Sequence, residues 1–367
     1  MTINPNNLTA TANLTFSEDF NLFRTWNGTT GLDITANVLA PLGNGNPGTS
    51  GYANNGELQW YVNPNYQPSN GGAALPSPFS TLDGVLTIEA RHADEAIRPT
   101  ILGQTYTSGV VSTYHEFSQT YGYFEMRAEL PAGTGLWPAF WLMPADGSWP
   151  PEIDVMEQLG KDPSTIYTSV HSKVGGLEQV GSGHFQTTTG VSIADTSQGF
   201  HTYGVDWELN TITWYFDGRE IFQATTPADA NRPMYMIANL AVGGSWPGNP
   251  DGSTTFPAEM KIDYLRAYSA LPTVPAAPHE LDTLTFGVAQ DAYGEDAQFV
   301  VKVDGAQVGG VQTAHASHAD GAWDVVNLTC DFSVVSDVTF QLINDASDGH
   351  GHARNLYIAS VGPAAHF

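Results

Sequence analysis

Basic side chains are scarce: 12 lysines and arginines stand against 38 aspartates and glutamates, a formal charge of −26. A surface of that sign repels phosphate backbones and anionic lipid, so nucleic acid is excluded as a partner. The single cysteine, Cys330, leaves no internal disulfide and no thiolate metal site. No run approaches the roughly 18 apolar residues that a membrane span requires, which excludes membrane insertion. Charged residues make up 14%, too few for a coiled coil or a solvated helical bundle, and no segment keeps a 3.6-residue apolar period between helix caps. The opening Met1-Thr2-Ile3-Asn4-Pro5 lacks the basic start and apolar core of a secretory signal. Low lysine use, acidity and near absence of cysteine suit an extracellular, monomeric protein exported without a signal peptide, with a cytoplasmic location as the alternative.

Glycine and proline are plentiful instead, 38 and 23 residues, and they punctuate short alternating runs such as Leu86-Thr87-Ile88, Tyr121 to Arg127 and Thr211 to Phe216. Alternation with turn signals between runs predicts strands. Asp83-Gly84, Asp217-Gly218 and Asp304-Gly305 each lie between apolar runs, where positive φ angles suit tight hairpins. The expected class is all-β. The segment 269–280 holds three prolines among small residues and reads as a semi-rigid linker. It separates a large domain over 14–268, preceded by an extension over 1–13, from a small β-sandwich over 281–361. In the sandwich, Phe299, Val301 and Val303 share one face.

Chemistry concentrates in Trp149-Pro150-Pro151-Glu152-Ile153-Asp154-Val155-Met156-Glu157. On a strand, Glu152 and Asp154 share a face and Ile153 points into the opposite layer. Glu157 is at an odd offset and joins the other acids only if one extra residue bulges out around Val155-Met156. Such bulges re-aim side chains beside active sites. Two carboxyl groups converging on a sugar ring allow retaining glycoside hydrolysis, one attacking the anomeric carbon while the other protonates the leaving oxygen. Crowding raises the pKa of one acid and keeps it protonated near neutral pH, with Asp154 between them maintaining the separation. The same acids also suit a solvated strand face or a calcium site.

Aromatic residues shift that balance. Trp137, Trp141 and Trp149 precede Glu152 within fifteen residues, and Trp60, Tyr61 and Trp246 are further platforms for the apolar faces of pyranose rings.

The run Gly135-Leu136-Trp137-Pro138-Ala139-Phe140-Trp141-Leu142-Met143-Pro144, followed by Trp149-Pro150 and Glu-Ile-Asp-Val-Met-Glu, resembles glycoside hydrolase family 16. The resemblance covers about residues 14 to 268, including Tyr121 to Arg127, Phe200 to Trp207 and Ile262 to Arg266. It implies a two-sheet jelly roll with a concave substrate cleft, Glu152 as nucleophile, Asp154 as assisting carboxylate and Glu157 as acid/base. It also implies that His171 bonds into the acid cluster, and that Asn55, Glu57 and Asn239 line the cleft. A structural calcium on the convex side would use Asp263, with Glu18 and Gly56 as partners.

The loop Asn344 to Tyr357 groups oxygen donors that suit calcium, Asp345 and Asp348 among them. With its Asn-Asp element and Arg354-Asn355-Leu356-Tyr357, the small domain resembles calcium-dependent carbohydrate-binding modules of families 36 and 60. Ala353 stands where those modules commonly carry an aspartate. His350 and His352 are transition-metal candidates or solvated loop residues.

The resulting expectation is a retaining endo-β-glycanase that needs no organic cofactor. It would cut internal β-1,3 or β-1,4 bonds of laminarin, mixed-linkage glucan or a succinoglycan-like bacterial exopolysaccharide. A non-catalytic jelly-roll lectin and a transglycosylase using the same site are the rival readings.

Overall fold

In the computed structural model, the Asp-Gly pairs at 83–84 and 217–218 form two-residue hairpin turns, with φ of 50° and 77° in the first and 49° and 72° in the second. Positive φ at both central positions matches the right-handed twist of the flanking strands. The structure describes residues 3–34, 55–65, 74–175, 177–181, 183–271, 282–303, 306–330, 338–347 and 353–360, so the third pair, Asp304-Gly305, lies outside the described residues. The chain divides into two units between Leu271 and Pro272.

The first unit is a two-sheet jelly roll. With strands numbered in chain order, the ten-stranded sheet runs β15 (Arg219–Thr225), β14 (Thr211–Phe216), β13 (His201–Trp207), β7 (Gly122–Glu129), β17 (Ala258–Ala270), β4 (Val85–His92), β5 (Tyr106–Ser108), β2 (Gln59–Tyr61). On it, β1 (Ala12–Glu18) also pairs with β17 and β3 (Phe79–Leu82) with β4. The seven-stranded sheet runs β11 (Glu178–Gly181), β12 (His184–Ser192), β10 (Thr165–Ser172), β9 (Glu152–Gln158), β8 (Leu136–Pro144), β16 (Met234–Val242), β6 (Val110–Ser112). All of these pairings are antiparallel except β2 with β5.

One core cluster fills the space between the sheets. It takes Phe124 and Met126 from β7 and Trp214 from β14, and Phe140, Ile153, Met156 and Leu240 from the facing sheet. Burying a large apolar side chain contributes about 1.5–3 kcal/mol, so this layer dominates the stabilisation. Even-numbered positions of β8 and β16 point into the core, which leaves the odd-numbered ones on the outer face of the seven-stranded sheet.

The boundaries expected at both ends of this unit need correction. Residues 3–13 are no separate extension. Ile3 is 1% exposed in a cluster with Ala12, Tyr123 and Tyr268, and its N–H donates to Asp206 Oδ2 at 3.2 Å. β17 extends to Ala270, so residues 269 and 270 are strand rather than linker. Residues 272–281 lie outside the described residues.

The second unit pairs β18 (Asp282–Asp291) with β21 (Asp324–Cys330) and β23 (Asn355–Ser360), and β19 (Ala297–Val303) with β20 (Ala306–Ala314) and β22 (Val338–Leu342). These two three-stranded sheets enclose Phe286, Val288, Phe299, Val301 and Leu328. Val303 is buried on the same side as Phe299 and Val301. Among the described residues, no helix is long and apolar enough to cross a membrane.

Candidate active site

The β9 register contains the irregularity that the acid spacing requires. Against β8, Glu157 pairs with Ala139 and Met156 with Phe140, but Asp154 pairs with the very next residue, Trp141. Against β10, Glu157 pairs with Tyr167 and Asp154 with Ser169, so a single residue, Thr168, spans Val155 and Met156. Two residues opposing one is a β-bulge. Val155 and Met156 are consequently both buried in the core, and Glu157 turns to the outer face with Glu152 and Asp154.

Neighbouring strands complete that face. His171, opposite Glu152, hydrogen-bonds through Nε2 to Asp154 Oδ2 at 3.0 Å. Its Nδ1 is 2.9 Å from His184 Nε2. Indole donors reach the two outer acids: Trp149 Nε1 donates to Glu152 Oε2 at 2.5 Å, and Trp137 Nε1 donates to Glu157 Oε1 at 3.1 Å. Trp246, more than a third exposed, meets Trp137 and Tyr167 edge-on at centroid distances of 5.4 and 4.8 Å. An aromatic wall therefore stands beside Glu157, and Trp149 with His184 stands beside Glu152.

Burial and mutual repulsion set the charges. Desolvation, then the charge of Asp154, raises Glu152 to about 8 despite the opposing effects of His171 and the Trp149 N–H. Glu157 is held well above the usual carboxylate range by desolvation and by the charges of Asp154 and Glu152. For His171, desolvation favours the neutral ring, but the Asp154 hydrogen bond and the three carboxylates outweigh it and lift the group to about 9. His184 is pushed down by desolvation and by His171. Near neutral pH these shifts favour the charged form of His171 and the protonated forms of both Glu152 and Glu157.

The sequence model of glycosyl hydrolases family 16 matches residues 78–266, just over half of the chain. The chain belongs to glycosyl hydrolases family 16. Two similar proteins come from Rhizobium meliloti (strain 1021). The endo-1,3-1,4-beta-glycanase ExsH is 49% identical over 255 residues, covering 70% of this chain and 51% of ExsH. The endo-1,3-1,4-beta-glycanase EglC is 48% identical over 255 residues with the same coverage. The chain thus spans about half the length of the curated relatives it matches. Among solved structures, the laminarinase from Rhodothermus marinus superposes with a TM-score of 0.56 at 28% identity, covering 71% of this chain and 98% of that one. SCLam, a non-specific endo-beta-1,3(4)-glucanase, gives 0.55 at 29% identity, covering 71% and 92%.

Several other expected residues of this family 16 chain occupy different places. Trp60 is 5% exposed in a separate cluster with Val62, Leu75, Ile97 and Ile101, so it is packing rather than platform. Its neighbour Tyr61 does face the site, as period-two alternation requires. Trp141 and Asn239 are also buried, forming a support layer beneath the site. Trp141 Nε1 donates to Asn239 Oδ1 at 2.8 Å, and Asn239 Nδ2 donates to the Tyr61 hydroxyl at 2.9 Å, which uses both ends of the amide. Glu57 is partly exposed and accepts from Gln59 Nε2 at 2.5 Å and Asn55 Nδ2 at 3.4 Å.

The expected calcium ligands of the first unit come from two regions of it. Gly56 lies against Gly244 and Ser245, just beyond the end of β16. Asp263 and Glu18 belong to the other sheet, where Asp263 is ion-paired with Arg127 Nη1 at 2.5 Å and Glu18 accepts the Phe20 N–H at 2.7 Å. Each of these two carboxylates thus has a protein partner on one of its oxygens. In the second unit, Asp345 is exposed, and Asp348, His350 and His352 lie outside the described residues. Arg354 is buried, and its guanidinium bonds the carbonyls of Asn344, Glu295 and Tyr293, which makes it a loop clamp.

His184 was not legible as a site residue. It lies thirteen positions after His171, and only the antiparallel register of β10 and β12 brings the two rings together.

Proposed function

We propose that this chain is a retaining endo-β-glycanase acting on internal β-1,3 or β-1,4 bonds of a polysaccharide. The observation that carries the reading is the bulge at Val155-Met156, which turns Glu157 onto the same face as Glu152 and Asp154. Glu152 in its ionised form, whose share grows as pH rises towards about 8, attacks the anomeric carbon as the glycosidic C–O bond breaks, and Glu157 gives its proton to the departing oxygen. Glu157 then takes a proton from the incoming water, whose oxygen displaces Glu152 and regenerates it as a carboxylate. A positioned acid of this kind contributes typically 10²–10⁴-fold. Asp154, hydrogen-bonded to His171 Nε2, lies between the two in the strand and acts electrostatically on both.

The names of ExsH and EglC, endo-1,3-1,4-beta-glycanases, support a glycan with either linkage. Laminarin, lichenan and a succinoglycan-like exopolysaccharide are the substrates to assay. New reducing ends from at least one of them, with the β-anomer as first product by proton NMR, is the expected result. Binding with no new ends would favour a lectin, the α-anomer would overturn double displacement, and products longer than the substrate would indicate transglycosylation. A glycan-binding role for the second unit belongs to the same proposal and rests on its sequence resemblance. Affinity electrophoresis of the full chain carrying Glu152→Gln, with and without calcium, tests it.

A further inference from the structure

We infer that His184 is a positioning residue for the acid cluster, accepting the second imidazolium proton of His171 and bracing Trp149, so that it orients the partners of both Asp154 and Glu152. The inference rests on the proposed function for its catalytic meaning, and on geometry for the rest.

His171 has two ring nitrogens and two partners, Asp154 Oδ2 at 3.0 Å on Nε2 and His184 Nε2 at 2.9 Å on Nδ1. The two imidazoles meet edge to edge through this bond, with centroids 5.2 Å apart and planes 23° from parallel. His184 also packs on Trp149 with centroids 5.2 Å apart, and Trp149 is the residue whose Nε1 donates to Glu152. One ring therefore touches the donor to each of two acids.

The proton assignment follows from what surrounds the pair. His171 faces Glu152 and Asp154 on β9 and feels Glu157, three carboxylates that favour its charged form. Among the described residues, His184 feels that cation and no comparable anion. Glu178 on β11 pairs with Gln186 rather than with His184, and Lys173 adds a positive charge two positions from His171. The charged ring is thus His171, donating from both nitrogens, and the neutral ring is His184, with its proton on Nδ1 and its Nε2 lone pair as acceptor. This second bond fixes the imidazole plane, and with it the direction of the Nε2–H toward Asp154. Metal-bound and catalytic histidines are oriented in the same way, by the partner of the other nitrogen.

Two substitutions separate accepting the proton from filling the space. His184→Phe keeps an aromatic ring against Trp149 and removes the acceptor, whereas His184→Gln supplies a carbonyl acceptor without the ring. Imidazole resonances of the 15N-histidine-labelled full chain report the His171 titration directly, independent of turnover. For His184→Phe the expected result is a His171 titration moved about one pH unit lower, because the cation loses a hydrogen-bond acceptor. A roughly tenfold lower kcat with KM little changed should accompany it. His184→Gln should restore the titration and most of kcat. A His171 titration and kcat unchanged in His184→Phe would overturn the inference, and a loss confined to His184→Gln would then mark His184 as packing alone. If the wild-type chain cleaved no glycan, the proposed function would fail while the titration arm still decided this question.

Discussion

The indole Nε1–H of Trp214, on the ten-stranded sheet, donates at 2.8 Å to the main-chain carbonyl of Asp154 on the facing sheet. That carbonyl sits at the edge of the bulge, where the interrupted ladder frees a backbone group that must find another partner. Trp214 is fully buried, so the bond crosses a dry core and ties the kink carrying the acids to the opposite layer. Trp214→Phe keeps most of the ring volume and removes the donor. Leaving a buried acceptor unpaired costs about 1–3 kcal/mol, or roughly 2–4 °C of melting temperature per kcal/mol in a domain of this size. Because the strand that loosens carries Glu152, Asp154 and Glu157, kcat should also fall about tenfold or more with KM little changed. An unchanged kcat in a variant of lowered melting temperature would show that the bulge holds its shape without Trp214.

Glu152→Gln should lower turnover by roughly 10⁴-fold or more while preserving the fold, since it removes the attacking charge and little volume. It should also change how stability depends on pH. The wild-type carboxyl has a folded pKa of about 8 against an ordinary 4.5, so the unfolded chain ionises it first. Stability linked to this group is therefore present below about pH 4.5 and lost as pH rises towards about 8. The variant has no such loss. Its melting temperature relative to wild type should be level in acid and climb through that window. A difference that stays constant with pH would mean that Glu152 is not the group carrying the perturbation.

Much of this site could be read from residue spacing, because alternation is a strict rule. An acid at an odd offset from two others must either face the core or sit beyond a bulge, and Glu157 sits beyond one. The Asp-Gly turns at 83–84 and 217–218 were legible for a similar reason, since few residue pairs accept two consecutive positive φ angles. What depends on long-range register was not legible. Trp60 and Tyr61 are adjacent and equally aromatic, and only the packing of β2 decides that Tyr61 faces the site while Trp60 fills a separate cluster. Likewise, nothing local marks Ile3 as core, because its partners Tyr123 and Tyr268 lie far along the chain.

Asp206 offers a test of the N-terminal docking independent of catalysis. Burial, then the charge of Glu208, raises its carboxyl to about 7, opposed by the Ile3 N–H that Oδ2 accepts. Its Oδ1 is buried without a hydrogen-bond partner among the described residues. A carboxyl with a raised folded pKa loses stability as pH climbs from about 4 to about 7, so Asp206→Asn should melt higher than wild type above about pH 7 and not near pH 4. Equal melting temperatures across that range would show that Asp206 stays hydrated in the folded chain.

Two tryptophans with opposite surroundings should respond oppositely to truncation. Trp246 is 37% exposed and stands edge-on to Trp137, whose indole holds Glu157. A sugar ring laid against it would gain about 0.5–1.5 kcal/mol of aromatic contact beyond area burial, so Trp246→Ala should raise KM a few-fold to about tenfold with little change in melting temperature. Trp60 is enclosed among Val62, Leu75, Ala93, Ile97 and Ile101, and Trp60→Ala should cost about 3–5 kcal/mol of stability through the cavity it leaves. The folded fraction of that variant should keep the wild-type KM. Thermal unfolding and initial-rate kinetics on one soluble substrate suffice for both variants. A Trp60→Ala chain with raised KM and unaltered melting temperature would place that ring in the cleft instead of the buried cluster.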